Sequence, residues 1–268
     1  MEPHSTEKWK NLKARLGFPA WLNLSSGEMR FQEVHPQLYI ERKAKDLKEV
    51  WSESISPDFG NKTIHRIYRY IGDSPALEKE NLKLDITVVL PGSYEGECIK
   101  TMGHYHLPLD ENSLASPDFY QLVYGKGVIL IQREYHKKVI PYVIYPKKLQ
   151  PIFIPPKYAH TTINLGAEPV VFQNICVRTP HLNYQPITEK RGMVYYLKKG
   201  KRKTYFLPNP CYQKEGYRIE KIKKVSIDLH KGFLKEYRPF YYLFQDNLPQ
   251  LRFLSHPRRY KYFIHSLE

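Results

Sequence analysis

The stretch Thr101-Met102-Gly103-His104-Tyr105-His106 places two histidines two residues apart, between segments of strand-like sequence. In a β-strand, residues i and i+2 point to the same face of the sheet, so both imidazoles would project in one direction. Such a pair is a candidate half of a metal site, because neutral imidazole is a common ligand of divalent transition metals. Two inward histidines can equally be hydrogen-bonded core residues, so this stretch alone leaves both interpretations open.

A second stretch, Pro155-Pro156-Lys157-Tyr158-Ala159-His160, delivers a third histidine from a proline turn to the start of another strand-like run. Between the two stretches, Asp118 precedes Gly125 of a Gly-x-Gly with six residues between them. The order Gly-His-x-His, acid, Gly-x-Gly and Pro-Pro-x-x-x-His resembles the paired motifs of the cupins. The resemblance implies that three histidines and one carboxylate hold one metal ion inside a β-barrel.

Strand-like runs around these stretches predict a domain dominated by β-structure. The runs are separated by clusters of Pro, Gly, Asn and Asp and cover residues 64–70, 84–90, 119–132, 139–145, 150–154, 161–165, 170–177 and 193–197. Strands at such short spacing are typical of antiparallel sheets that close on each other. Together with the motifs, they predict an all-β dominated chain with the double-stranded β-helix, or jelly-roll barrel, of the cupins.

The rest of the chain is expected to flank this barrel. We divide the sequence into a helical and irregular N-terminal segment (residues 1–60), the barrel (61–205) and a basic, aromatic-rich C-terminal extension (206–268). Trp9, Leu12 and Leu16 have helical spacing and precede Gly17, which predicts a short N-terminal helix packed outside the barrel. Residues 46–53 repeat the helical pattern weakly, and residues 219–227 alternate as in a possible strand.

Positive charge concentrates near the C-terminal end. The formal net charge is +15, and residues 190–268 hold 19 Lys and Arg against 6 Asp and Glu. Lys and Arg contacts to phosphates give sequence-independent affinity for nucleic acid, so this extension is a candidate polyanion surface. No nucleic-acid motif accompanies the charge, and we favour a solvated basic face.

Cysteine content and hydropathy restrict the environment of the protein. Cys98, Cys176 and Cys211 are odd in number and widely spaced, which favours neither a disulfide framework nor a zinc ribbon. No run approaches the ~18 uncharged apolar residues of a membrane-spanning helix. We therefore expect a cytoplasmic protein without a membrane partner.

Several residues outside the general cupin pattern narrow the resemblance to one family. Over residues 63–210, the chain resembles the cupin-type glucose-6-phosphate isomerases of archaea. The matching segments are Thr87-Val88-Val89-Leu90-Pro91-Gly92, Thr101 before the Gly-His-x-His, Asp118-Phe119-Tyr120, Pro155-Pro156-Lys157-Tyr158-Ala159-His160, and Tyr184 followed by Ile187, Glu189 and Lys190. Ordinary cupins carry Gly at the position of Lys157.

The resemblance implies roles for individual residues. The implied metal ligands are His104, His106, Asp118 and His160. The implied catalytic residues are Asp118, Tyr120 and His160. The implied substrate contacts are Thr87, Thr101 and Gly103 at the phosphate, and Tyr120 and Tyr184 at the sugar. Three imidazoles and one carboxylate suit one divalent ion, iron first, with zinc, manganese or nickel as alternatives, and leave one or two positions open.

Three departures from the family's pattern bear on these roles. The family's acid is Glu, and Asp118 is one methylene shorter. An insertion lengthens the segment after His106 to eleven residues before Asp118, and within it Glu111 has the spacing at which many other cupins place their carboxylate. Either acid is therefore a candidate ligand. Cys176 stands where the family has a tyrosine.

The resemblance implies a metal-dependent aldose–ketose isomerase that interconverts glucose 6-phosphate and fructose 6-phosphate in glycolysis and gluconeogenesis. The carboxylate would move the proton while the metal polarises the substrate oxygens. One alternative is another metal-dependent cupin enzyme that acts on a sugar phosphate, because a fold does not fix a reaction. A second is a non-catalytic barrel that binds a sugar phosphate and uses its basic extension to bind polyanions. By analogy with cupins that pair through edge strands, we expect a homodimer.

Overall fold

The computed structural model describes residues 8–108, 114–225, 237–246 and 248–260. Strands dominate these ranges, as the sequence predicts. In chain order they are β1 (Trp9–Asn11), β2 (Ala20–Asn23), β3 (Met29–Phe31), β4 (Leu38–Lys43), β5 (Thr63–Arg69), β6 (Leu82–Val89), β7 (Ser93–Tyr94), β8 (Glu97–Cys98), β9 (Tyr105–Leu107), β10 (Asp118–Tyr124), β11 (Gly127–Tyr135), β12 (Lys138–Ile144), β13 (Pro151–Ile154), β14 (Ala159–Asn164), β15 (Val170–Val177), β16 (His181–Asn183), β17 (Tyr195–Lys199), β18 (Thr204–Pro208), β19 (Arg218–Ile219) and β20 (Lys223–Val225).

The helices are short and lie between or after the strands. They are α1 (Lys13–Leu16), α2 (Pro57–Gly60), α3 (Pro75–Lys79), α4 (Gln185–Glu189), α5 (Pro210–Lys214), α6 (Phe240–Asp246) and α7 (Arg252–Ser255), with 3₁₀ helices over Ala44–Val50, Leu248–Leu251 and Pro257–Tyr260. Serine caps and a proline in the first turn start α2 and α3, where Ser56 and Ser74 accept backbone N–H bonds. Within the described ranges, the helices include none with the length and apolar character needed to cross a membrane.

Two sheets form the jelly-roll barrel that the sequence predicts. One has the strand order β13-β10-β15-β6-β5-β4 and the other the order β14-β11-β12-β19, with β20 also paired to β12. The predicted run over residues 119–132 is in fact two strands, β10 and β11, because Gly125 turns the chain at a φ of 79°. A Cβ at Gly125 would lie 2.5 Å from the carbonyl oxygen of Pro169, so only glycine fits this turn.

Both faces of the six-stranded sheet are covered, and strand β6 shows how the sequence separates them. Leu84, Ile86 and Val88 point to an outer apolar core. Lys83, Asp85 and Thr87 alternate with them and point into the barrel, where they line a cavity. The sheet therefore has one apolar face in the outer core and one face whose charged and polar side chains line the cavity.

The N-terminal segment covers the outer face and differs in part from its prediction. The predicted helix is confirmed only over Lys13–Leu16, which ends at Gly17 with a φ of 88°, whereas Trp9 lies in β1. Strands β1, β2 and β3 form a small sheet of their own. Leu12 and Leu16 are buried in the same core as Leu84, so this segment packs directly on the barrel and not apart from it. The weaker helical prediction for residues 46–53 corresponds to the 3₁₀ helix Ala44–Val50.

The described part of the C-terminal extension also contacts the barrel. The predicted strand over residues 219–227 is observed as β19 and β20, each parallel to β12, while Ile227 lies outside the described residues. Helices α6 and α7 add Phe240 and Phe253 to the outer core. Arg252 binds Glu80 through two hydrogen bonds of 2.6 and 2.8 Å. The extension thus closes the outer face of the six-stranded sheet.

Truncation of Phe240 tests this packing. The ring is fully buried and stacks on Phe119 of β10 at 4.7 Å between centroids. Since removing a buried Phe side chain costs about 3–5 kcal/mol, we expect Phe240→Ala to lower the free energy of unfolding by that amount. Tyr242 lies on the same helix with 38% of its surface exposed, so Tyr242→Ala is the matched control with an expected loss of less than about 1 kcal/mol. Equal unfolding free energies for the two variants in urea denaturation would contradict the packing.

Candidate active site

Three histidines from two neighbouring strands converge inside the barrel. His104 immediately precedes β9, His106 lies in β9, and His160 lies in β14. The backbones of His104 and His160 form an isolated antiparallel bridge, with N–H···O distances of 3.4 and 3.1 Å. One ligand atom from each ring lies within 4.8 Å of the other two. The separate sequence motifs therefore form a single cluster that can hold a metal ion.

Hydrogen bonds set the orientation of two of these rings. His106 Nδ1 lies 2.9 Å from the carbonyl oxygen of Ser116, and His104 Nδ1 lies 3.3 Å from that of Met102. A carbonyl partner on Nδ1 favours the tautomer that leaves Nε2 free as a ligand. Burial, with the neighbouring imidazoles, puts the pKa of His104 well below its usual range, and burial lowers the pKa of His106 to about 4. Both rings are therefore neutral at physiological pH, which is the metal-binding form.

Asp118 faces two of the histidines. Its Oδ2 lies 3.5 Å from His160 Nε2 and 3.7 Å from His106 Nε2. Donor atoms bound at about 2.1 Å to one ion lie roughly 3.0–3.4 Å apart, so small movements would bring this set to metal-binding distances. The Nδ1 atom of His160 is buried without a hydrogen-bond partner among the described residues. The donor set fits a divalent ion.

The other carboxylate oxygen of Asp118, Oδ1, accepts two hydrogen bonds. Asn174 Nδ2 donates to Oδ1 at 3.0 Å, and the backbone N–H of Phe119 donates at 3.1 Å. Burial alone would raise the pKa of Asp118, but its interactions with the two imidazoles and the hydrogen bond from Asn174 bring it below its ordinary value. Asp118 is therefore an ionised carboxylate with one oxygen fixed and the other turned toward the histidines.

Tyr120 lies on the same face of β10 as Asp118. Its hydroxyl is 3.2 Å from His160 Nε2. Burial, followed by the negative charge of Asp118, raises the pKa of Tyr120 well above its usual range. The hydroxyl is therefore protonated and can donate a hydrogen bond toward the histidine cluster.

These side chains stand at the wall of a cavity of about 410 Å³. Cavities of this size accommodate small-molecule ligands. The cavity is also lined by the cations Arg42, Arg69 and Lys83, by the carboxylates of Asp46, Glu49 and Asp85, and by Tyr184, whose ring centroid is 5.3 Å from that of His104. Burial raises the pKa of Tyr184, while the positive charges of the three cations act in the opposite direction. A cavity with a histidine cluster and charged side chains of both signs suits a polar ligand.

Comparison with known proteins identifies the family. The family model of glucose-6-phosphate isomerase matches residues 41–209. The chain belongs to this family. It is 30% identical to the glucose-6-phosphate isomerase of Thermococcus onnurineus and 33% identical to that of Thermococcus gammatolerans, in each case over 162 residues that make up 56% of this chain and 76% of the relative. The glucose-6-phosphate isomerase of Pyrococcus furiosus is 28% identical over 151 residues, or 53% of this chain and 69% of the relative.

Solved cupin structures also overlap with part of the chain. Recombinant oxalate oxidase in complex with glycolate has a TM-score of 0.34 and 12% identity, with coverage of 46% of this chain and 56% of the other. The formate complex of Lactobacillus farciminis oxalate decarboxylase has a TM-score of 0.32 and 16% identity, with coverage of 45% and 30%.

Not all the substrate contacts expected from the glucose-6-phosphate isomerase family line the cavity. Thr87, Thr101 and Tyr184 line the cavity, whereas Gly103 is not among its lining residues. A Cβ at Gly103 would lie 2.7 Å from Met193 Sδ, so close packing behind the histidines already requires a glycine there. The hydroxyl of Thr101 accepts a hydrogen bond from the backbone N–H of Thr162 at 3.0 Å.

Two departures from the isomerase family's pattern, the alternative acid Glu111 and the cysteine at position 176, can be compared with the structure. Glu111, the alternative acid, lies outside the described residues. Cys176 lines the cavity, and burial raises the pKa of its thiol well above the ordinary value, so the thiol is protonated. A small, neutral side chain thus occupies the position of the family's tyrosine and leaves more room beside Asp118.

The motifs in the sequence did not point to the charged residues on the wall formed by β5 and β6. The alternation Lys83-Leu84-Asp85-Ile86-Thr87 was the pattern that could have located Lys83 and Asp85, because it turns every second residue of a buried strand inward. Arg69 on β5 and Asn174 on β15 had no comparable pattern. Their roles became visible only when the strands were paired.

Proposed function

We propose that this chain is a metal-dependent isomerase that interconverts glucose 6-phosphate and fructose 6-phosphate. The observation that carries the proposal is the convergence of three histidines and Asp118 on a cavity of about 410 Å³ in a chain of the isomerase family. The reaction would place the protein in glycolysis and gluconeogenesis, in the cytoplasm.

One divalent ion is the proposed cofactor. His104, His106, His160 and Asp118 would hold it, and their nitrogen and oxygen donors suit iron first, with zinc, manganese and nickel as alternatives. When bound, the ion would polarise the substrate oxygens and stabilise the negative charge that develops on them. The neutral state of His104 and His106 supports this assignment, because no proton has to leave these rings before they bind an ion.

Asp118 is the proposed base. Isomerisation of an aldose to a ketose through an enediolate requires a group that takes a proton from C2 and returns it to C1. The lowered pKa of Asp118 keeps it ionised, and Asn174 holds its Oδ1, so that Oδ2 faces the histidine cluster. Tyr120 remains protonated and is proposed to donate a hydrogen bond to a substrate oxygen beside His160, whose Nε2 lies 3.2 Å from that hydroxyl.

The remaining site residues are proposed to hold the sugar phosphate. Tyr184 would pack against the sugar, since it lies beside His104 on the cavity wall. Thr87, Thr101 and Gly103 would be short donors that let a phosphate approach. Thr87 and Thr101 have the stronger support, because both line the cavity.

A homodimer is the proposed assembly. Strand β4 is the edge of the six-stranded sheet, and it exposes Leu38 and Tyr39, of which 44% and 46% of the surface is accessible. An exposed edge strand with apolar side chains is a natural surface for pairing. Analytical ultracentrifugation of the wild-type chain measures this directly.

A substrate panel tests the proposed activity. Purified protein, freed of metal with a chelator and reloaded with Fe²⁺, Zn²⁺, Mn²⁺ or Ni²⁺ in turn, would be given glucose 6-phosphate, mannose 6-phosphate, ribose 5-phosphate and unphosphorylated glucose. We expect fructose 6-phosphate from glucose 6-phosphate with at least one metal, and slower or no conversion of the pentose phosphate and of glucose. Turnover of another sugar phosphate without conversion of glucose 6-phosphate would contradict the proposal.

A further inference from the structure

The two histidines of the Gly-His-x-His stretch lie on or beside one short strand. β9 has three residues, and its ladder partner β16 also has three. The bridge between His104 and His160 extends this pairing by one residue pair. Tyr105 stands between the histidines, so its side chain points to the opposite face, and it is not among the residues that line the cavity. A short stretch of backbone pairing therefore holds two of the candidate metal ligands.

Glu134 of β11 receives the Tyr105 hydroxyl on this opposite face. The hydroxyl donates to Glu134 Oε1 at 2.9 Å, and Gln132 Nε2 donates to the same oxygen at 3.1 Å. The other oxygen, Oε2, lies 3.6 Å from Lys190 Nζ. The side chains of Glu134 and Lys190 are only 17% and 8% exposed, so salt and water screen this pair little. Contacts on both oxygens thus fix the acceptor that Tyr105 uses.

The C-terminal extension packs against the same group of side chains. Tyr212, in α5, is fully buried, and its hydroxyl accepts a hydrogen bond of 2.7 Å from Gln132 Nε2. Lys190 Nζ lies 5.6 Å from the centroid of the Tyr212 ring and 5.3 Å from that of Tyr217. Both tyrosines lie beyond residues 41–209, the part that the family model matches. The contacts behind β9 therefore depend in part on a segment outside that match.

We propose that the hydrogen bond from Tyr105 to Glu134, supported by the extension, positions His104 and His106 to bind the metal ion. Tyr105 and Glu134 are positioning residues, because they act through the histidines and do not line the cavity. Tyr105 shares a peptide bond with each histidine, so a shift of its side chain is passed to both. Metal ligands must keep their geometry to within about 0.5 Å, and an anchored side chain between two of them meets this need. This inference rests on the proposed function, in which the cluster holds an ion.

Tyr105→Phe removes one oxygen atom and tests the bond with the least disturbance of packing. Metal-free protein would be titrated with Co²⁺, whose visible absorption reports the arrangement of its ligands. We expect the dissociation constant of Co²⁺ to rise about tenfold and the absorption band to change, because loss of a contact that orients metal ligands weakens binding by about 10–100-fold. Tyr135→Phe is the matched control, since Tyr135 lies in the same strand as Glu134 but is 61% exposed, and it should match the wild type.

Two variants of Glu134 test the other end of the bond. Glu134→Gln keeps an oxygen that can accept from Tyr105, so its Co²⁺ affinity should stay closer to the wild type than that of Glu134→Ala. The double variant Tyr105→Phe/Glu134→Ala should bind Co²⁺ no more weakly than Glu134→Ala, because both changes remove the same bond. Independent effects that multiply in the double variant would contradict the inference. Thermal melts of the metal-free proteins identify a Glu134 variant that fails to fold, and Tyr105→Phe then decides.

The outcomes separate this inference from the proposed function. A Tyr105→Phe protein with a lower melting temperature but wild-type Co²⁺ affinity and absorption has lost a bond that is structural only, which overturns the inference and leaves the isomerase activity standing. A wild-type protein that binds Co²⁺ but does not interconvert the two hexose phosphates contradicts the proposed function. The same titrations still decide the positioning role, because affinity that is about tenfold weaker in Tyr105→Phe supports it and unchanged affinity overturns it.

Discussion

Replacement of His106 by alanine is expected to remove the bound metal and with it the isomerase activity. The Nε2 atom of His106 faces Asp118 within the cluster, and its Nδ1 is held by the carbonyl oxygen of Ser116. Loss of the ion removes several kcal/mol of transition-state stabilisation, which corresponds to a fall in kcat/KM on the order of 10³-fold or more. Metal content by plasma mass spectrometry should fall from about one ion per chain to near zero.

His35 provides the control for this change. It is exposed and lies far along the chain from the cluster, in the loop before β4. His35→Ala should keep wild-type metal content and turnover. A His106→Ala protein that folds, as judged by its circular dichroism spectrum, and still binds metal and turns over at the wild-type rate would show that the cluster is not the metal centre.

Replacement of Asp118 by asparagine is expected to lower kcat by about 10²–10⁴-fold, the usual contribution of a general base. Asparagine keeps the size of the side chain and can still accept a hydrogen bond from Asn174, but it cannot take a proton. The three histidines remain, so substrate affinity should change less than kcat. Stopped assays with excess metal, together with metal analysis of the same samples, separate loss of the base from loss of the ion.

Asp118→Glu is the informative companion variant, because it restores the family's acid with one methylene more. If Asp118 is the base, the glutamate variant should retain more activity than the asparagine variant, since it still carries a carboxylate. If both variants keep full turnover with metal bound, Asp118 is not the base, and Glu111 becomes the residue to replace.

The sequence predicted the barrel and the convergence of the three histidines well because both depend on local patterns. A Gly-His-x-His in a strand turns two imidazoles the same way, and a proline turn places His160 at the start of the strand that bridges His104. Alternation and turn residues located most of the strands. The position of Asp118 followed from its spacing to Gly125, and the structure places it beside two of the histidines.

What the sequence could not predict depends on long-range packing. Trp9 has helical spacing with Leu12, yet it pairs in β1 with Asn23, because a sheet that covers the barrel buries more apolar surface than an isolated short helix. Phe240 has no local pattern that points to Phe119, more than a hundred residues earlier. Arg69 and Lys83 meet only because β5 and β6 pair, so their shared carboxylate, that of Asp85, was invisible in the sequence.

Isomerisation is expected to depend on one ion held by three histidines and Asp118. This dependence can be measured by titrating metal-free wild-type protein with Fe²⁺ while the conversion of glucose 6-phosphate to fructose 6-phosphate is followed. Activity should start near zero, rise linearly and reach its plateau at one ion per chain. Full activity in the metal-free protein, or a plateau that bears no relation to the number of chains, would contradict the claim.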